Sequence, residues 1–443
     1  MISRYARNGV FVVIGDVYYN ALRLAANLVM TRLLYPEAFG LMVIVNTFIT
    51  GVQLFSSVGL RGAVILKSKT HEDESLYLSV AWTIKSIRGA ILCVITVASA
   101  SPLAIFYDKP ELFSLMLISS LYPLLAGFSS PQMFAAERDI KLKAVIIGEG
   151  LAQTSAVIIV VTWIYLFPTV YALAFHAVFE ALILTIYSFI RFRGENVRFV
   201  LDKKIVQDIF YFGRWILLAT VLSFAANQAD KLILSRLFKL ELLGVYSVAA
   251  NLAQVVQRVI QSLGSRLLFP AFVEIRQAND SIIKIARMRN MIAVITLPVL
   301  LALCVFGDKI IRLLYDERYS SAGWMMQLMA AGGVFSVLAS TLNPMLLAAG
   351  DARYYSSIHL CKLVSLVAGL YIGYLIADLP GAIVGISFSS VAVYASSIYY
   401  ARRSGFDRWE ADIVIIIGFF VIIFAYWGIS DFWLSIFKDT AQI

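Results

Sequence analysis

Residues 31–40 read TRLLYPEAFG, and residues 235–244 read SRLFKLELLG. Arg, Leu, Glu and Gly recur at the second, third, seventh and tenth positions, at the constant offset of 204 between 31 and 235. The same offset aligns Gln53 with Gln257, and further matches follow at slowly growing offsets, as loop insertions would produce. A collinear series of this kind indicates an internal duplication. The stretch therefore predicts a chain built from two equivalent halves.

The composition of the chain is typical of a protein immersed in lipid. Of its 443 residues, 60% are hydrophobic and 15% are charged, and the mean hydropathy is +0.82. Apolar runs of about 20 residues recur along the chain, and each is long enough to cross a hydrocarbon core of roughly 30 Å. Cys93, Cys304 and Cys361 stand singly within such runs, which excludes a CxxC metal or redox pair. The sequence therefore predicts an all-α polytopic membrane protein.

Thirteen membrane spans are predicted from the apolar runs between charged residues, prolines and glycines. They cover residues 9–34, 39–65, 77–101, 112–135, 143–166, 169–190, 209–237, 241–269, 286–306, 322–349, 355–377, 380–401 and 411–434. Of the 37 Lys and Arg residues, 20 fall in connections on the N-terminal side, 8 in connections on the opposite side and 9 within spans. This bias places the N-terminus in the cytoplasm and the C-terminus in the periplasm. The net charge of +9 follows from this topology and does not indicate a nucleic-acid partner.

Spans one to six correspond to spans seven to twelve in the duplication. Because six is even, both halves enter the membrane from the same side. We therefore predict two pseudo-symmetric six-helix bundles in a parallel repeat, plus a thirteenth helix. The predicted domains are an N-terminal lobe (1–190), a cytoplasmic linker (191–208), a C-terminal lobe (209–401) and a last segment with the thirteenth helix (402–443). Transporters use this plan to form a substrate site where two bundles face each other.

Polar side chains form a stripe on each of four helices that the duplication relates, namely spans one, two, seven and eight. Spacings of three or four residues place each set on one helical face. The members are Asp16, Asn20, Arg23 and Asn27; Asn46, Thr50, Gln53 and Ser57; Ser223, Asn227, Asp230 and Lys231; and Asn251, Gln254, Arg258, Gln261 and Ser265. A charge that faces lipid costs about 2.5–3.5 kcal/mol, so we expect these helices to line a wet cavity. The alternative is that the amides only join helices within the bundle.

The charged residues within the predicted spans are mostly basic. The cations are Arg23, Arg61, Lys85, Arg88, Arg214, Lys231, Arg258, Arg266 and Lys362, and the acids are Asp16, Glu149, Glu180 and Asp230. Arg23, Arg88 and Arg258 are predicted near mid-depth, and a guanidinium presents a planar fork of donors that matches two phosphate oxygens. The cavity is therefore predicted to bind an anionic ligand that contains phosphate.

The sequence disfavours enzymes and ATP-driven pumps. It contains no GxxxxGK[ST] motif for ATP, and the longest predicted periplasmic connection, residues 307–321, is too short for a catalytic domain. A membrane polysaccharide polymerase or ligase would need such a domain. A drug or small-cation antiporter would need a cavity dominated by acids. These two classes remain the alternatives to a transporter of anions.

Five stretches of the chain are similar to segments of one known family. The strongest is FGRWILLATVLSFAANQADK at residues 212–231, followed by LGVYSVAANLAQ at residues 243–254. The others are RLLYPEAFGL at residues 32–41, SVGLRGAVI at residues 57–65 and LLYDERYSSA at residues 313–322. These stretches resemble the Wzx-type oligosaccharide flippases of the multidrug/oligosaccharidyl-lipid/polysaccharide exporter superfamily. The resemblance covers spans one to twelve. It implies a two-lobed bundle that moves undecaprenyl-pyrophosphate-linked oligosaccharide repeat units from the inner to the outer leaflet.

The resemblance also implies roles for particular residues. In that fold, helices one, two, seven and eight line the central cavity, and the related lipid II flippase carries arginines on its first, second and eighth helices. Arg23 and Arg258 match the first and third of these arginines, whereas span two offers Gln53 at mid-depth. We therefore expect Arg23 and Arg258 to hold the diphosphate, assisted by Lys231 and Arg88.

Sugar contacts and ion coupling complete the predicted site. The residues expected to meet sugar hydroxyls are Asn20, Asn27, Asn227 and Gln254. Asp230 and Asp16 are candidates for H⁺ or Na⁺ coupling, since intramembrane acids often serve that role. Alternatively, Asp230 is half of a neutralised ion pair with Lys231. No other cofactor and no metal site is predicted, and the resemblance leaves polysaccharide polymerase and assembly proteins as candidate partners beside the lipid bilayer.

Overall fold

The computed structural model describes residues 2–55, 60, 64, 73–138, 142–192, 198–258, 282–348, 352–403 and 410–429. Within these ranges the backbone is helical apart from short turns and extended connections, and it contains no β-strand. The chain divides into two compact units, Met1–Phe224 and Ala225–Ile443, and the division falls inside one long helix. The predicted all-α class is therefore confirmed.

Unit 1 consists, in its described part, mostly of helices. They are α1 (Ile2–Leu33), α2 (Pro36–Phe55), α3 (Glu74–Tyr107), α4 (Glu111–Ser119), α5 (Leu121–Phe128), α6 (Gln132–Arg138), α7 (Leu142–Leu166), α8 (Tyr171–Arg191) and the first part of α9 (Lys203–Leu237). Unit 1 packs α7 against α8 and α1, and α3 against α5.

Unit 2 begins within α9 and continues with long helices. They are α10 (Leu240–Ala253), α11 (Ile282–Leu314), a 3₁₀ turn (Glu317–Tyr319), α12 (Ala322–Ala348), α13 (Ala352–Arg403) and α14 (Glu410–Ile429). The central helix is α12, which packs against α10, α11, α13 and α14.

Eight helical segments in the described part of the chain are long and apolar enough to cross a membrane. They are Pro36–Leu54, Glu74–Tyr107, Glu111–Phe128, Lys143–Leu166, Tyr171–Arg191, Arg289–Leu314, Ala322–Asn343 and Ser356–Arg403. The first seven each overlap one predicted span, and the last covers two. The multi-pass architecture is thus confirmed, while the arrangement of six, six and one helices stays a prediction.

The helix α13 reverses direction near its middle. Ala377 and Asp378 leave the helical region of the backbone map, and Asp378 adopts a φ of 46°, which is the left-handed region. Proline follows two positions later, at Pro380, and favours this break because it has no N–H to continue the helix. The reversal falls where the sequence predicts the boundary between spans eleven and twelve.

Four glycines bring the two limbs of α13 into backbone contact. Gly369 and Gly373 lie on the first limb, and Gly381 and Gly385 lie on the second, so that each limb carries a GxxxG pattern. A Cβ added to Gly385 would lie 1.9 Å from the carbonyl oxygen of Gly369, and one added to Gly373 would lie 2.0 Å from that of Gly381. Small residues at this spacing permit close helix approach in a membrane. The limbs therefore depend on the absence of side chains at these positions.

A buried ion pair fastens α14, the predicted thirteenth span, to unit 2. Nη2 of Arg289 lies 2.8 Å from Oδ2 of Asp412, and their side chains are 2% and 3% exposed. The same carboxylate oxygen accepts the Tyr394 hydroxyl at 2.8 Å, and Nε of Arg289 donates to Thr341 Oγ1 at 3.1 Å. These four side chains come from four helices, α11 to α14. The network therefore joins α14 to the other three.

The predicted linker comprises residues 191–208, and its second half packs as part of unit 1. Residues 193–197 lie outside the described part. Asp202 accepts hydrogen bonds from the N–H groups of Lys204 and Ile205 and so caps α9, which begins at Lys203. Ile205 is 1% exposed and packs in a core that includes Tyr77 of α3. These contacts explain why residues 203–208 are helical although their composition is that of a solvated connection.

Leucine at Gly385 is expected to prevent the two limbs of α13 from packing. The added side chain meets backbone atoms of Gly369, which cannot move aside, and overpacking of this kind costs about 1–3 kcal/mol or more. Thermal unfolding of the detergent-solubilised protein measures the effect. The matched control is Gly418→Leu on α14, where a Cβ meets nothing within 4 Å. Equal unfolding temperatures for the two variants would contradict the expectation.

Alanine at Arg289 is expected to destabilise unit 2 by about 3–5 kcal/mol, because it leaves the buried carboxylate of Asp412 without its cation. Arg289→Met combined with Asp412→Asn removes both charges and should recover most of the loss. The control is Arg312→Ala, which removes an ion pair with Asp308 whose side chains are 69% and 39% exposed, and it should change stability by less than about 1 kcal/mol. Unfolding midpoints of the four proteins decide between these outcomes. A double variant as unstable as the single one would refute the charge argument.

Candidate functional site

A polar cavity of about 280 Å³ lies within unit 2. Its walls come from α9, from residues 253–258 and from α11, α12 and α13. Five residues predicted from sequence line it, namely Asn227, Asp230, Lys231, Gln254 and Arg258. Some members of the stripes on spans seven and eight thus line one cavity, while Ser223 and Asn251 are not among its lining residues and Gln261 and Ser265 lie outside the described part of the chain.

Asp230 is the acid of this cavity and is almost completely buried. Asp230 is 5% exposed, and its Oδ2 accepts a hydrogen bond from the hydroxyl of Tyr246 at 2.5 Å. Oδ1 has no hydrogen-bond partner among the residues that the structure describes. A buried carboxylate is costly unless donors or cations compensate it. Tyr246 supplies the donor, and Lys362 interacts electrostatically with the carboxylate.

Three cations line the same cavity, and each donates a hydrogen bond to a neutral oxygen. Nζ of Lys362 lies 2.6 Å from Oδ1 of Asn227, and Nζ of Lys231 lies 2.8 Å from Oε1 of Gln228. Nη2 of Arg258 lies 2.7 Å from the carbonyl oxygen of Asn251. The described lining therefore holds three basic side chains and one acidic side chain, Asp230.

The predicted residues of unit 1 form a second group. Nη2 of Arg88 on α3 donates to the carbonyl oxygen of Gln53 on α2 at 2.6 Å. The side chain of Gln53 is hydrogen-bonded to Tyr122 on α5. Arg88 and Gln53, which the sequence placed in the same site, are thus adjacent, and Arg88 also fixes the end of α2.

Arg23 lies close to an acid that sequence reasoning did not assign to the site. The hydroxyl of Tyr19 donates to Oε1 of Glu180 at 2.8 Å, and both Glu180 and Arg23 interact electrostatically with Tyr19 and His176. Asn20 and Arg23 are exposed on α1, and Asn27 is half-buried. The side chain of Asp16 lies outside the described part of the structure.

Sequence reasoning missed several members of the cavity in unit 2. Lys362 is counted among the cations within spans but has no predicted role. Tyr246, which does not line the cavity but donates to Asp230, has no predicted role either. Ser336 on α12 and Ser390 on α13 hydrogen-bond each other at 3.0 Å in the cavity wall. The sequence does offer one signal that could have identified Lys362. It is a lysine within an apolar run, and a lysine in a membrane span rarely faces lipid.

A model of the family described as "Polysaccharide biosynthesis protein" matches residues 29–323, more than half of the chain. Two relatives carry names from the same field. The teichuronic acid biosynthesis protein TuaB of Bacillus subtilis is 23% identical over 336 residues, which cover 73% of this chain and 68% of TuaB. The lipopolysaccharide biosynthesis protein WzxC of Escherichia coli is 20% identical over 380 residues, which cover 84% of this chain and 75% of WzxC.

The fold matches a solved membrane transporter. The lipid II flippase MurJ, in its inward closed conformation, aligns with a TM-score of 0.71 at 12% identity. The alignment covers 97% of this chain and 95% of MurJ. The likeness to this flippase supports the predicted all-α fold, while the arrangement of two six-helix bundles and one further helix stays a prediction.

Phenylalanine at Tyr246 is expected to destabilise the protein, because it removes the donor to the buried carboxylate of Asp230. Hydrogen bonds to charged groups contribute about 1.5–3 kcal/mol, and this is the expected loss in unfolding free energy. The matched control is Tyr371→Phe, since Tyr371 is 55% exposed in the same unit. Denaturant or thermal unfolding compares the two, and identical midpoints would show that Asp230 does not depend on Tyr246.

Proposed function

Because the chain belongs to the polysaccharide biosynthesis protein family, we propose that it flips undecaprenyl-pyrophosphate-linked oligosaccharide repeat units across the bacterial inner membrane. The movement runs from the cytoplasmic to the periplasmic leaflet, for the assembly of exopolysaccharide, O-antigen or capsule. The names of TuaB and WzxC, which refer to teichuronic acid and lipopolysaccharide biosynthesis, support this class of substrate. The name of MurJ, a lipid II flippase, supports this type of transport.

The observation that carries the proposal is the charge of the cavity in unit 2. Lys231, Arg258 and Lys362 line it together with Asp230. A diphosphate brings at least two negative charges, and cations in a site of low dielectric bind it strongly. An antiporter of cationic drugs would need the opposite sign, so this alternative is disfavoured. A polymerase or ligase is the other alternative.

Different residues of the proposed site bind different parts of the substrate. The cations assigned to the diphosphate are Arg258 and Lys231 of unit 2 and Arg23 and Arg88 of unit 1. The residues assigned to sugar hydroxyls are Asn20, Asn27, Gln53, Asn227 and Gln254. The undecaprenyl tail stays in the bilayer and does not leave its apolar surroundings. Alternating access exposes the cationic site first to one side of the membrane and then to the other.

Ion coupling and topology belong to the same proposal. Asp230, buried and with one oxygen without a partner among the described residues, is the first candidate for H⁺ or Na⁺ coupling, and Asp16 is the second. The N-terminus lies in the cytoplasm and the C-terminus in the periplasm, in agreement with the excess of Lys and Arg in the connections on the N-terminal side. Polysaccharide polymerase and assembly proteins receive the flipped substrate.

Alanine at Arg258 is expected to reduce export of surface polysaccharide at least tenfold, because it removes a charge-assisted contact to the diphosphate that is worth about 1.5–3 kcal/mol. The assay uses the producing bacterium with its own gene deleted, and measures the lipid-linked glycan that accumulates on the cytoplasmic leaflet. Arg23→Ala should behave alike, and Arg258→Lys should keep part of the activity.

The control for these variants is Arg403→Ala, which removes an exposed cation at the end of α13. All variants are compared at equal membrane levels, with monodisperse elution from detergent as the test of folding. Wild-type export by correctly inserted Arg23→Ala and Arg258→Ala variants would overturn the proposed site. Absence of any cytoplasmic lipid-linked glycan in the deletion strain would overturn the proposed function.

A further inference from the structure

Lys362 is the cavity residue for which the proposed function gives no individual role. It lies on the first limb of α13, two turns before Gly369, and its side chain reaches the cavity wall formed by α9. There its ammonium donates to Oδ1 of Asn227 at 2.6 Å. It also interacts electrostatically with Asp230. Lys362 therefore interacts with two residues of α9, Asn227 and Asp230, to which the proposed function gives other roles.

The neighbours of Lys362 define where its ammonium lies before substrate binds. Oδ1 of Asp230 has no hydrogen-bond partner among the described residues, and Oδ2 is held by Tyr246. A carboxylate in this position requires positive charge nearby. The ammonium of Lys362 supplies it, while the hydrogen bond to Asn227 fixes the direction of the side chain.

A diphosphate is a better partner for this ammonium than an amide oxygen. A contact between the ammonium and a phosphate oxygen adds the Coulomb attraction of two opposite charges to the hydrogen bond, which an amide oxygen does not offer. Lysine carries its charge on a flexible four-carbon stem, so the ammonium can move several ångströms without a change in the backbone. Movement toward a phosphate releases Oδ1 of Asn227, which then becomes available to a sugar hydroxyl.

We propose that Lys362 is a third diphosphate-binding cation of unit 2, beside Lys231 and Arg258, and that it exchanges Asn227 for phosphate when substrate enters the cavity. The exchange couples the two parts of recognition, because the headgroup must bind before Asn227 is released to the sugar. It also adds a specificity element, since a neutral sugar alone does not detach the lysine. This inference rests on the proposed function and assigns a further residue to its site.

A purely structural role for Lys362 predicts different behaviour. If the lysine only neutralises Asp230, a variant without either charge should bind anions as the wild type does. The double variant Lys362→Met with Asp230→Asn is suited to this question, because the cavity keeps its net charge but lacks the ammonium. Lys309→Met is the matched control, since it removes an exposed lysine of α11 in the same unit.

The experiment measures binding of inorganic pyrophosphate to the purified full-length protein in nanodiscs by calorimetric titration. Lys362→Met should weaken binding about 10- to 100-fold, because a charge-assisted contact is lost. Lys362→Arg should stay within about threefold of the wild type, because it keeps a cation that can reach phosphate. The double variant should bind at least about tenfold more weakly than the wild type, although its net charge is restored. Asn227→Ala, which removes the competing acceptor of the lysine, should bind pyrophosphate more tightly than the wild type, and an unchanged affinity would overturn the exchange.

Each outcome separates the inference from the proposed function. Wild-type affinity in Lys362→Met, or in the double variant, would overturn the role of Lys362 while leaving the cavity as a diphosphate site. Loss of binding in Asn227→Ala would overturn the exchange. A wild-type protein that neither binds pyrophosphate nor flips lipid-linked glycan would instead refute the proposed function itself.

Discussion

The absence of water in the hydrocarbon core is the constraint on which the structure depends. Every backbone polar group there must be satisfied within the protein, which is why the described chain is helical. Charged side chains face the same constraint, since each must find a partner, a polar cavity or the membrane surface. The buried Arg289–Asp412 pair is one solution, and the cavity around Asp230 is another. The difference between these two solutions separates structural charges from functional ones.

In the structural solution, charge is cancelled where it is buried. Arg289 donates a hydrogen bond to the carboxylate of Asp412, which also accepts one from the hydroxyl of Tyr394. The opposite charges of this network compensate each other without a bound ligand. In the cavity, Lys231 and Arg258 donate to an amide and a carbonyl oxygen. The described lining therefore holds three basic side chains and one acid, and under the proposed function the diphosphate is the anion that interacts with them.

The sequence predicts the spans well because length and hydropathy alone identify a membrane helix. The duplication also identified equivalent helices, so Asn227, Asp230, Lys231, Gln254 and Arg258 could be assigned to one cavity from their spacing. Lys362 could not be assigned, because it stands without a stripe on its own helix. Its role depends on α13 lying beside α9, and spacing along one helix does not specify the neighbouring helix. Ile205 illustrates the same limit, since its burial against α3 is a tertiary contact within a stretch of linker composition.

The size of the cavity restricts what unit 2 recognises. At about 280 Å³ it lies just below the range of roughly 300–1,000 Å³ that is usual for drug-sized ligands. The Gly369–Gly385 contact brings together the two limbs of α13, which contribute Lys362 on one side and Ser389 and Ser390 on the other to the cavity lining. Under the proposed function, a cavity of this size is matched to the diphosphate headgroup, which all repeat units on the same lipid carrier share, and discrimination between glycans then requires surfaces beyond this cavity.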